Sequence, residues 1–214
     1  MAALWWVCPN MGWYHDRVLP RVVDRACGSS RLRVWRRRAS EGLSGRVLEV
    51  GFGSGHNLAL LPDEVEELVA VEPSAQAWQL SESRRVACGA SVVLAGLDGQ
   101  RLDLPDASFD AALCTFTLCT VPDPMAALAE VRRVLGPAGR LHLLEHGCSP
   151  DRRVARWQRR LDPLEQRLAG GCHLTRDPLA LVHRAGFTTD WVEQAYGPGP
   201  KPWMWRTVGV FTAG

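Results

Sequence analysis

The residues best equipped for chemistry begin at Val47-Leu48-Glu49-Val50-Gly51-Phe52-Gly53-Ser54-Gly55-His56-Asn57, where an apolar run passes into a glycine-rich turn and then into what reads as a helix. Glycines at 51 and 53 permit positive φ and let the backbone approach a ligand with no Cβ between them. The free N–H groups that open a helix favour a nucleotide there. A dinucleotide fingerprint needs glycine at its first, third and sixth positions, and counting from Gly51 the last of these is His56, which weakens a nicotinamide reading. Glu49 can accept N–H groups of the turn or face a cationic ligand. About twenty residues past the turn, Leu68-Val69-Ala70-Val71-Glu72-Pro73 sets a carboxylate at the end of the next apolar run, where an acid can hold both ribose hydroxyls. Asp98-Gly99 falls at the matching place after a third run, where it could read an adenine edge or form an ordinary turn. A plain glycine turn and an exposed strand-end acid are the alternatives for the first two features.

Something must hold these groups at one edge. Short apolar, β-branched-rich segments alternate with longer periodic ones, which is the pattern of βαβ units and a doubly wound, mostly parallel sheet. Strands are predicted at Arg46–Val50, Glu67–Glu72, Ser91–Leu94, Phe109–Thr115 and Gly139–His146, with a closing pair near Thr188–Glu193 and Thr207–Phe211. Asp123-Pro124 opens a helix carrying Ala127, Leu128, Val131, Val134 and Leu135, which Gly136-Pro137 should end. Two arginine-rich stretches, Arg31 to Arg38 and Arg152 to Arg160, also read helical. In the second, Val154, Trp157, Leu161, Leu164 and Leu168 form an apolar stripe, with Pro163 able to bend or break it.

The chain has 214 residues, 46% hydrophobic and 22% charged, with 25 Lys+Arg against 23 Asp+Glu. That suits one globular domain and gives no bulk attraction to nucleic acid. No stretch approaches a membrane span, and the start lacks the features of a secretory signal, so a cytoplasmic protein is expected. Seven cysteines without a Cys-x-x-Cys spacing suggest neither a disulfide framework nor a zinc ribbon.

With these residues assembled, the chain resembles the class I S-adenosylmethionine-dependent methyltransferases. The likeness rests on the glycine turn and Glu72, on Leu104-Pro105-Asp106-Ala107-Ser108-Phe109-Asp110, and on Glu130-Val131-Arg132-Arg133-Val134-Leu135-Gly136-Pro137-Ala138-Gly139, in that order. A closer likeness runs from about Tyr14 to the end through Cys114 to Val121, Glu145-His146, Trp157-Gln158 and Gly171-Cys172-His173-Leu174-Thr175-Arg176. It looks like a bacterial subgroup labelled phospholipid N-methyltransferase and like the animal thiol S-methyltransferases of the methyltransferase-like-seven group. The resemblance implies a single-domain, Rossmann-like α/β fold with a seven-stranded sheet and helices on both faces. Residues 1–40 would be a helical cap and 41–214 the core, with a lid insertion near 150–178.

The resemblance further implies that Gly51, Phe52, Gly53 and Asn57 line the methionine end of the cofactor, Glu72 and Pro73 the ribose, Asp98 and Gly99 the adenine, and Thr115 the floor beneath the sulfonium, with Tyr14 closing over it. Phe52 and Ser54 depart from the more usual Cys or Val and Thr, and residues 99–103 follow the adenine-edge pattern only loosely. A thiol acceptor arrives mostly protonated and an ammonium cannot attack, so a base is useful. His146 is the first candidate and His173 the second, each with backbone hydrogen bonding as its plain alternative. Cys119 and Cys172 could form a soft thiol-binding wall, a metal or metalloid site, or simple packing; packing is preferred and no metal is expected. The arginine-rich segment 152–160 could touch anionic lipid or be a solvated helix. Trp5, Trp6, Trp13, Trp203 and Trp205 could build an apolar mouth or be core. The expected acceptor is a small thiol or sulfide, methylated on sulfur. The alternatives are a phospholipid amine, another apolar small molecule, or a protein that binds the cofactor without turnover. The expected partners are a small-molecule acceptor, no nucleic acid, and at most peripheral lipid, with the chain a monomer or weak dimer.

Overall fold

The structure, a computed structural model, describes residues 12–214. Seven strands form one sheet: β1 (Gly45–Val50), β2 (Val65–Val71), β3 (Ser91–Gly96), β4 (Phe109–Thr115), β5 (Leu135–His146), β6 (Phe187–Tyr196) and β7 (Trp205–Ala213), in the order β3-β2-β1-β4-β5-β7-β6. β1 runs parallel to β2 and β4, β2 to β3 and β4 to β5, whereas β7 is antiparallel to both β5 and β6. The chain steps outward from β1 to β3 and then returns to β4 on the other side. This opens a crevice beyond the carboxyl ends of β1 and β4, the place where doubly wound sheets bind ligands.

The central strands are apolar on both faces because both faces are covered. The pleat sends Leu48, Val50, Val69, Val71, Ala112, Cys114, Leu141 and Leu143 to one side, against Ala127, Leu128, Val131 and Val134 of α5 (Pro124–Val134) and Val182 of α7 (Pro178–Arg184). Val47, Ala111, Leu113, Leu144 and Val208 go to the other, against Leu43 and Ala39 of α2 (Ser30–Ser40). Asp123 caps α5 as expected, accepting from the Met125 and Ala126 N–H groups with Pro124 in the first turn. Gly136-Pro137, predicted as a break, lies inside β5, which begins at Leu135 because Leu135 pairs with Phe109 ahead of a register irregularity.

Two local expectations are corrected. No full helix follows the glycine turn. Only a 3-10 turn, Leu58–Leu60, forms, and Leu61, held extended ahead of Pro62, ends it. The helix α6 (Arg152–Leu168) runs unbroken through Pro163, yet only part of the predicted apolar stripe is covered, Val154 being buried and Leu161 half-buried. Val154, Ala155, Gln158 and Asp162 point inward, while Trp157, Leu164 and Leu168 are 57%, 55% and 48% exposed. The polar pair turns inward because each satisfies buried backbone. Gln158 accepts from Ser149 N–H and donates to the carbonyls of Gly147 and Pro202, and Asp162 accepts from Leu174 and Thr175 N–H.

Ahead of the sheet, a π-helical turn (Tyr14–Val18), α1 (Leu19–Cys27) and α2 carry the chain to β1, and α3 (Ala75–Leu80) and α4 (Glu82–Val86) connect β2 to β3. Trp5 and Trp6 lie outside the described residues, Trp13 is exposed, and Trp203 and Trp205 are half-buried. Among the described residues no helix is long and apolar enough to cross a membrane.

Candidate active site

A cavity of about 710 Å³ sits beyond the carboxyl ends of β1 to β4, within the range of small-molecule pockets. Its wall includes Gly51, Phe52 and Gly53 after β1, Glu72 and Pro73 after β2, Asp98 after β3, and Thr115 to Thr117 at the end of β4. α1 and the turn before it add His15, Leu19, Val23 and Asp24. Tyr14, Asn57, Gly99, His146 and His173 are not among its lining residues. The Tyr14 hydroxyl instead donates to the Leu168 carbonyl at the end of α6.

The two leading glycines serve different purposes. Both have positive φ, +76° at Gly51 and +60° at Gly53. A Cβ on Gly51 would lie 2.0 Å from Thr117 Oγ1, so that glycine is needed for packing of the turn against β4 rather than for a ligand. A Cβ on Gly53 would meet nothing within 4 Å, because it would project into open space. Gly53 N–H donates to Glu72 Oε2 at 2.6 Å and Ser74 N–H to Oε1 at 2.8 Å. Burial pushes the Glu72 carboxyl above its ordinary pKa and these two bonds hold it back. Each oxygen keeps a lone pair for a hydroxyl donor. Asp98 Oδ1 accepts from Gln100 N–H at 2.8 Å, so this acid also shapes its own turn.

Beneath the turn lies a buried polar network that sequence reasoning only half anticipated. Asn57 Nδ2 donates to Glu49 Oε1 at 2.6 Å and to Thr115 Oγ1 at 3.0 Å. Arg36 Nη1 donates to Asn57 Oδ1 at 2.8 Å and to Thr115 Oγ1 at 3.0 Å. Glu49 Oε2 and Arg36 Nε are buried without a partner among the described residues. Burial pushes the Glu49 carboxyl up to about 8 against the pull of Asn57 and Arg36, and it drives the Arg36 guanidinium down. Arg36 lines the cavity and was missed, hidden in a run of five arginines. The signal that could have found it is helical spacing, since Leu32, Arg36, Ala39 and Ser40 form one buried face of α2.

Asp24 joins α1 to the turn, accepting from Ser54 Oγ at 2.6 Å and lying 3.0 Å from His56 Nε2 and 3.1 Å from Arg84 Nη2. Burial raises its carboxyl, but Ser54, Arg84 and His56 together bring it below its ordinary value. His15, also missed, is buried on the cavity wall with both ring nitrogens unpartnered among the described residues.

The two histidines expected as bases stand behind this cavity. His146 ends β5, stacks on the cavity-lining Phe116 with ring centroids 6.4 Å apart, and has Nε2 3.1 Å from Cys172 Sγ. Burial pulls its imidazole down, but Cys119 and Glu145 lift it further, to about 9. His173 Nδ1 lies 3.4 Å from Asp162 Oδ2, and burial, the largest influence, keeps that ring below its ordinary value. Phe116 adopts φ +56°, a costly conformation for a bulky residue that surrounding structure must enforce. Glu145 fixes that bend, with Oε1 accepting from Thr117 N–H at 2.5 Å and Leu118 N–H at 2.7 Å.

The site suits an adenosine cofactor with a charged amino-acid tail. An open cradle stands at Gly53, a carboxylate is anchored for hydroxyl donors, and a guanidinium nitrogen and a carboxyl oxygen lack partners beneath the turn. Comparison with known proteins agrees. A methyltransferase-domain family matches residues 48–143. Human thiol S-methyltransferase TMT1B is 33% identical over 181 residues, covering 81% of this chain and 71% of that protein. Demethylmenaquinone methyltransferase of Deinococcus radiodurans is 38% identical over 61% of this chain and 53% of its own length. Phosphatidylethanolamine N-methyltransferase of Cereibacter sphaeroides is 31% identical over 48% of this chain and 51% of its own. In fold, a SAM-dependent methyltransferase from Methanosarcina mazei superposes with a TM-score of 0.60 at 21% identity, over 78% of this chain and 91% of that one. The chain belongs to the class I S-adenosylmethionine-dependent methyltransferases.

Proposed function

We propose that the chain transfers the methyl group of S-adenosylmethionine to the sulfur of a small thiol or sulfide. The observation that carries this reading is the extent of likeness. The thiol S-methyltransferase relative matches 81% of the chain, against 61% for the quinone relative and 48% for the phospholipid relative. When bound, the cofactor supplies a methyl group already activated by its sulfonium charge, so the protein's task is to position the reactants and exclude water. Glu72 accepts the ribose hydroxyls through the lone pairs left after Gly53 and Ser74, with Pro73 beside it. Asp98 faces the adenine, while Gly99 lies off the cavity wall in the turn behind it. Phe52, Gly53 and Thr115 hold the methionine end on a turn that Gly51 seats against Thr117, with Arg36 Nε free to donate to its carboxylate and Asn57 fixing Arg36 from below. Asp24 draws α1 down over the turn, and Tyr14 fixes the same cap from its outer side.

A small thiol is mostly protonated at neutral pH, so its proton needs a destination. Of the two histidines we favour His173, whose depressed pKa leaves the ring neutral and whose Nδ1 is oriented by Asp162. His146, lifted to about 9, keeps its proton at pH 7 and comes second. The decisive experiment is conversion of S-adenosylmethionine to S-adenosylhomocysteine with matched panels of small thiols, sulfide, phospholipid amines, phenols and quinols. Turnover with thiols or sulfide is expected, and turnover confined to amines or quinols overturns the sulfur assignment.

One observation favours a peripheral lipid contact as well. Trp157, Leu164 and Leu168 are exposed on α6, the helix that also carries Arg152, Arg153, Arg156, Arg159 and Arg160. Exposed apolar groups amid cations suit an anionic bilayer surface. Co-sedimentation with vesicles containing phosphatidylglycerol should occur at low salt and weaken as salt rises; no binding at low salt refutes it.

A further inference from the structure

Three side chains outside the cofactor cavity converge without a role in holding the cofactor. Cys119 follows β4, His146 ends β5, and Cys172 follows α6. One donor atom from each lies within 4.8 Å of the other two, and His146 Nε2 is already 3.1 Å from Cys172 Sγ. Cys119 is 3% exposed and Cys172 8%. The backbone fastens both loops where the thiols sit. His173 N–H donates to the Cys119 carbonyl at 2.7 Å, Asp162 holds Leu174 and Thr175, and Arg176 Nη1 donates to the carbonyls of Leu118 and Val121, each at 2.6 Å.

Packing alone is a poor explanation for this arrangement. A structural cysteine is usually surrounded by apolar carbon, whereas here two buried thiols face one imidazole, with His146 Nε2 directed at Cys172 Sγ. We propose that Cys119, His146 and Cys172 form a zinc site. Zinc bonds of about 2.3 Å to sulfur and 2.0–2.1 Å to nitrogen, at tetrahedral angles, separate ligand atoms by about 3.5–3.8 Å. The present spread therefore needs movements of about an ångström or less. Two thiolates and an imidazole select a borderline or soft ion over magnesium or calcium. The thiolates neutralise the dication, and the Arg176 guanidinium stands close to both cysteines. Zinc takes the cysteines as thiolates and His146 through an unprotonated nitrogen, so uptake releases protons and is favoured by rising pH. Three protein ligands leave a fourth position open, as in catalytic zinc sites. Its natural occupant is a small thiolate, and this last clause alone rests on the sulfur-methylation reading.

The test uses the full chain, reduced, stripped with a chelator and titrated with Zn²⁺ against a chromophoric competitor, with no acceptor present. One Zn²⁺ per chain is expected. Cys119→Ser and Cys172→Ser should each weaken binding at least tenfold, since loss even of supporting groups around a metal costs 10–100-fold, while Cys88→Ser should bind as wild type. Thermal unfolding checks that each variant folds. If the serine variants do not fold, Co²⁺ substitution of the wild type must still give a thiolate-to-cobalt charge-transfer absorption. The proposal is overturned by a wild type that takes up no zinc, by serine variants that match it, by a cobalt spectrum without the thiolate band, or by a Cys119–Cys172 disulfide that consumes both thiols in the purified chain. Zinc uptake with no thiol turnover would leave the metal site standing and remove the sulfur reading; thiol turnover without zinc would do the reverse.

Discussion

Gly53 gives a direct test of where the cofactor lies. Alanine at this position has two separable consequences. The left-handed φ of +60° costs an L residue about 1–2 kcal/mol, equivalent to a fall of roughly 2–8 °C in Tm for a chain of this size. The added methyl then enters the open space above the turn, where nothing lies within 4 Å in the protein itself. If the cofactor fills that space, the methyl overpacks it at about 1–3 kcal/mol, or roughly 5- to 150-fold in affinity. Gly42 supplies the control, since its φ is +81°, a Cβ there also meets nothing within 4 Å, and it does not line the cavity. Gly42→Ala should lose a similar Tm and keep full affinity for S-adenosylhomocysteine in calorimetric titration, while Gly53→Ala loses both. A Gly53→Ala variant that binds like wild type would show that the ligand does not approach this turn. Equal loss of binding in both variants would show that the effect is global destabilisation.

Other predictions follow from the same geometry. Glu72→Gln replaces an acceptor-only group that serves two N–H donors with one that has a donor of its own; hydrogen bonds to charged groups are worth about 1.5–3 kcal/mol, so the Kd for S-adenosylhomocysteine should rise roughly 10- to 150-fold, and an unchanged Kd would exclude Glu72 from ribose binding. Glu49, lifted from 4.5 to about 8 by burial, stabilises the fold as a neutral acid, so its contribution is complete below 4.5 and is lost as pH rises toward 8, by at most about 5 kcal/mol. Glu49→Gln should therefore flatten the decline of Tm between pH 5 and 8 in the cofactor-free protein, and an unaltered slope refutes the shift. His173→Gln should lower kcat with thiols far more than it raises KM for the cofactor, and the loss should shrink as pH approaches the thiol pKa; a pH-independent deficit points to a structural role. Asp24→Asn should raise KM for the cofactor and speed proteolysis within α1, since three partners of that carboxylate weaken together.

The strands and the motifs on them were legible because their signals are local. Every predicted strand forms, since a short, β-branched-rich apolar run carries its own instruction and the parallel core needs both faces apolar. The helix expected after the glycine turn was misread because Pro62 outweighed the apolar run Leu58–Leu61. On α6 the hydrophobic pattern found Val154 and Leu161 but missed the polar half of the buried face. Gln158 and Asp162 turn inward to satisfy backbone groups 9 to 44 residues away, which no helical period can reveal. Arg36 was lost for the opposite reason, one buried guanidinium among solvated neighbours, distinguished only by its place beside Leu32 and Ala39.

This contrast between local and long-range signals divides the site itself. Residues expected at the cofactor end follow directly from strand ends, so an expectation such as Glu72 after β2 or Gly53 after β1 needs only the strand to be right. The groups around Cys119, His146 and Cys172 meet only because β4 and β5 pair in parallel register, Thr115 beside Leu144, and because α6 returns the chain to the same edge. Their spacings of 27 and 26 residues match no short ligand motif, so the donors were visible in the sequence while their convergence was not. On the proposed reading, the same sheet binds a shared cofactor through residues fixed by local pattern and presents the acceptor side through residues fixed by topology. A class of enzymes built this way can keep one methyl donor while exchanging acceptors, because changes in the loops after β4, β5 and α6 leave the turn after β1 and the carboxylate after β2 in place.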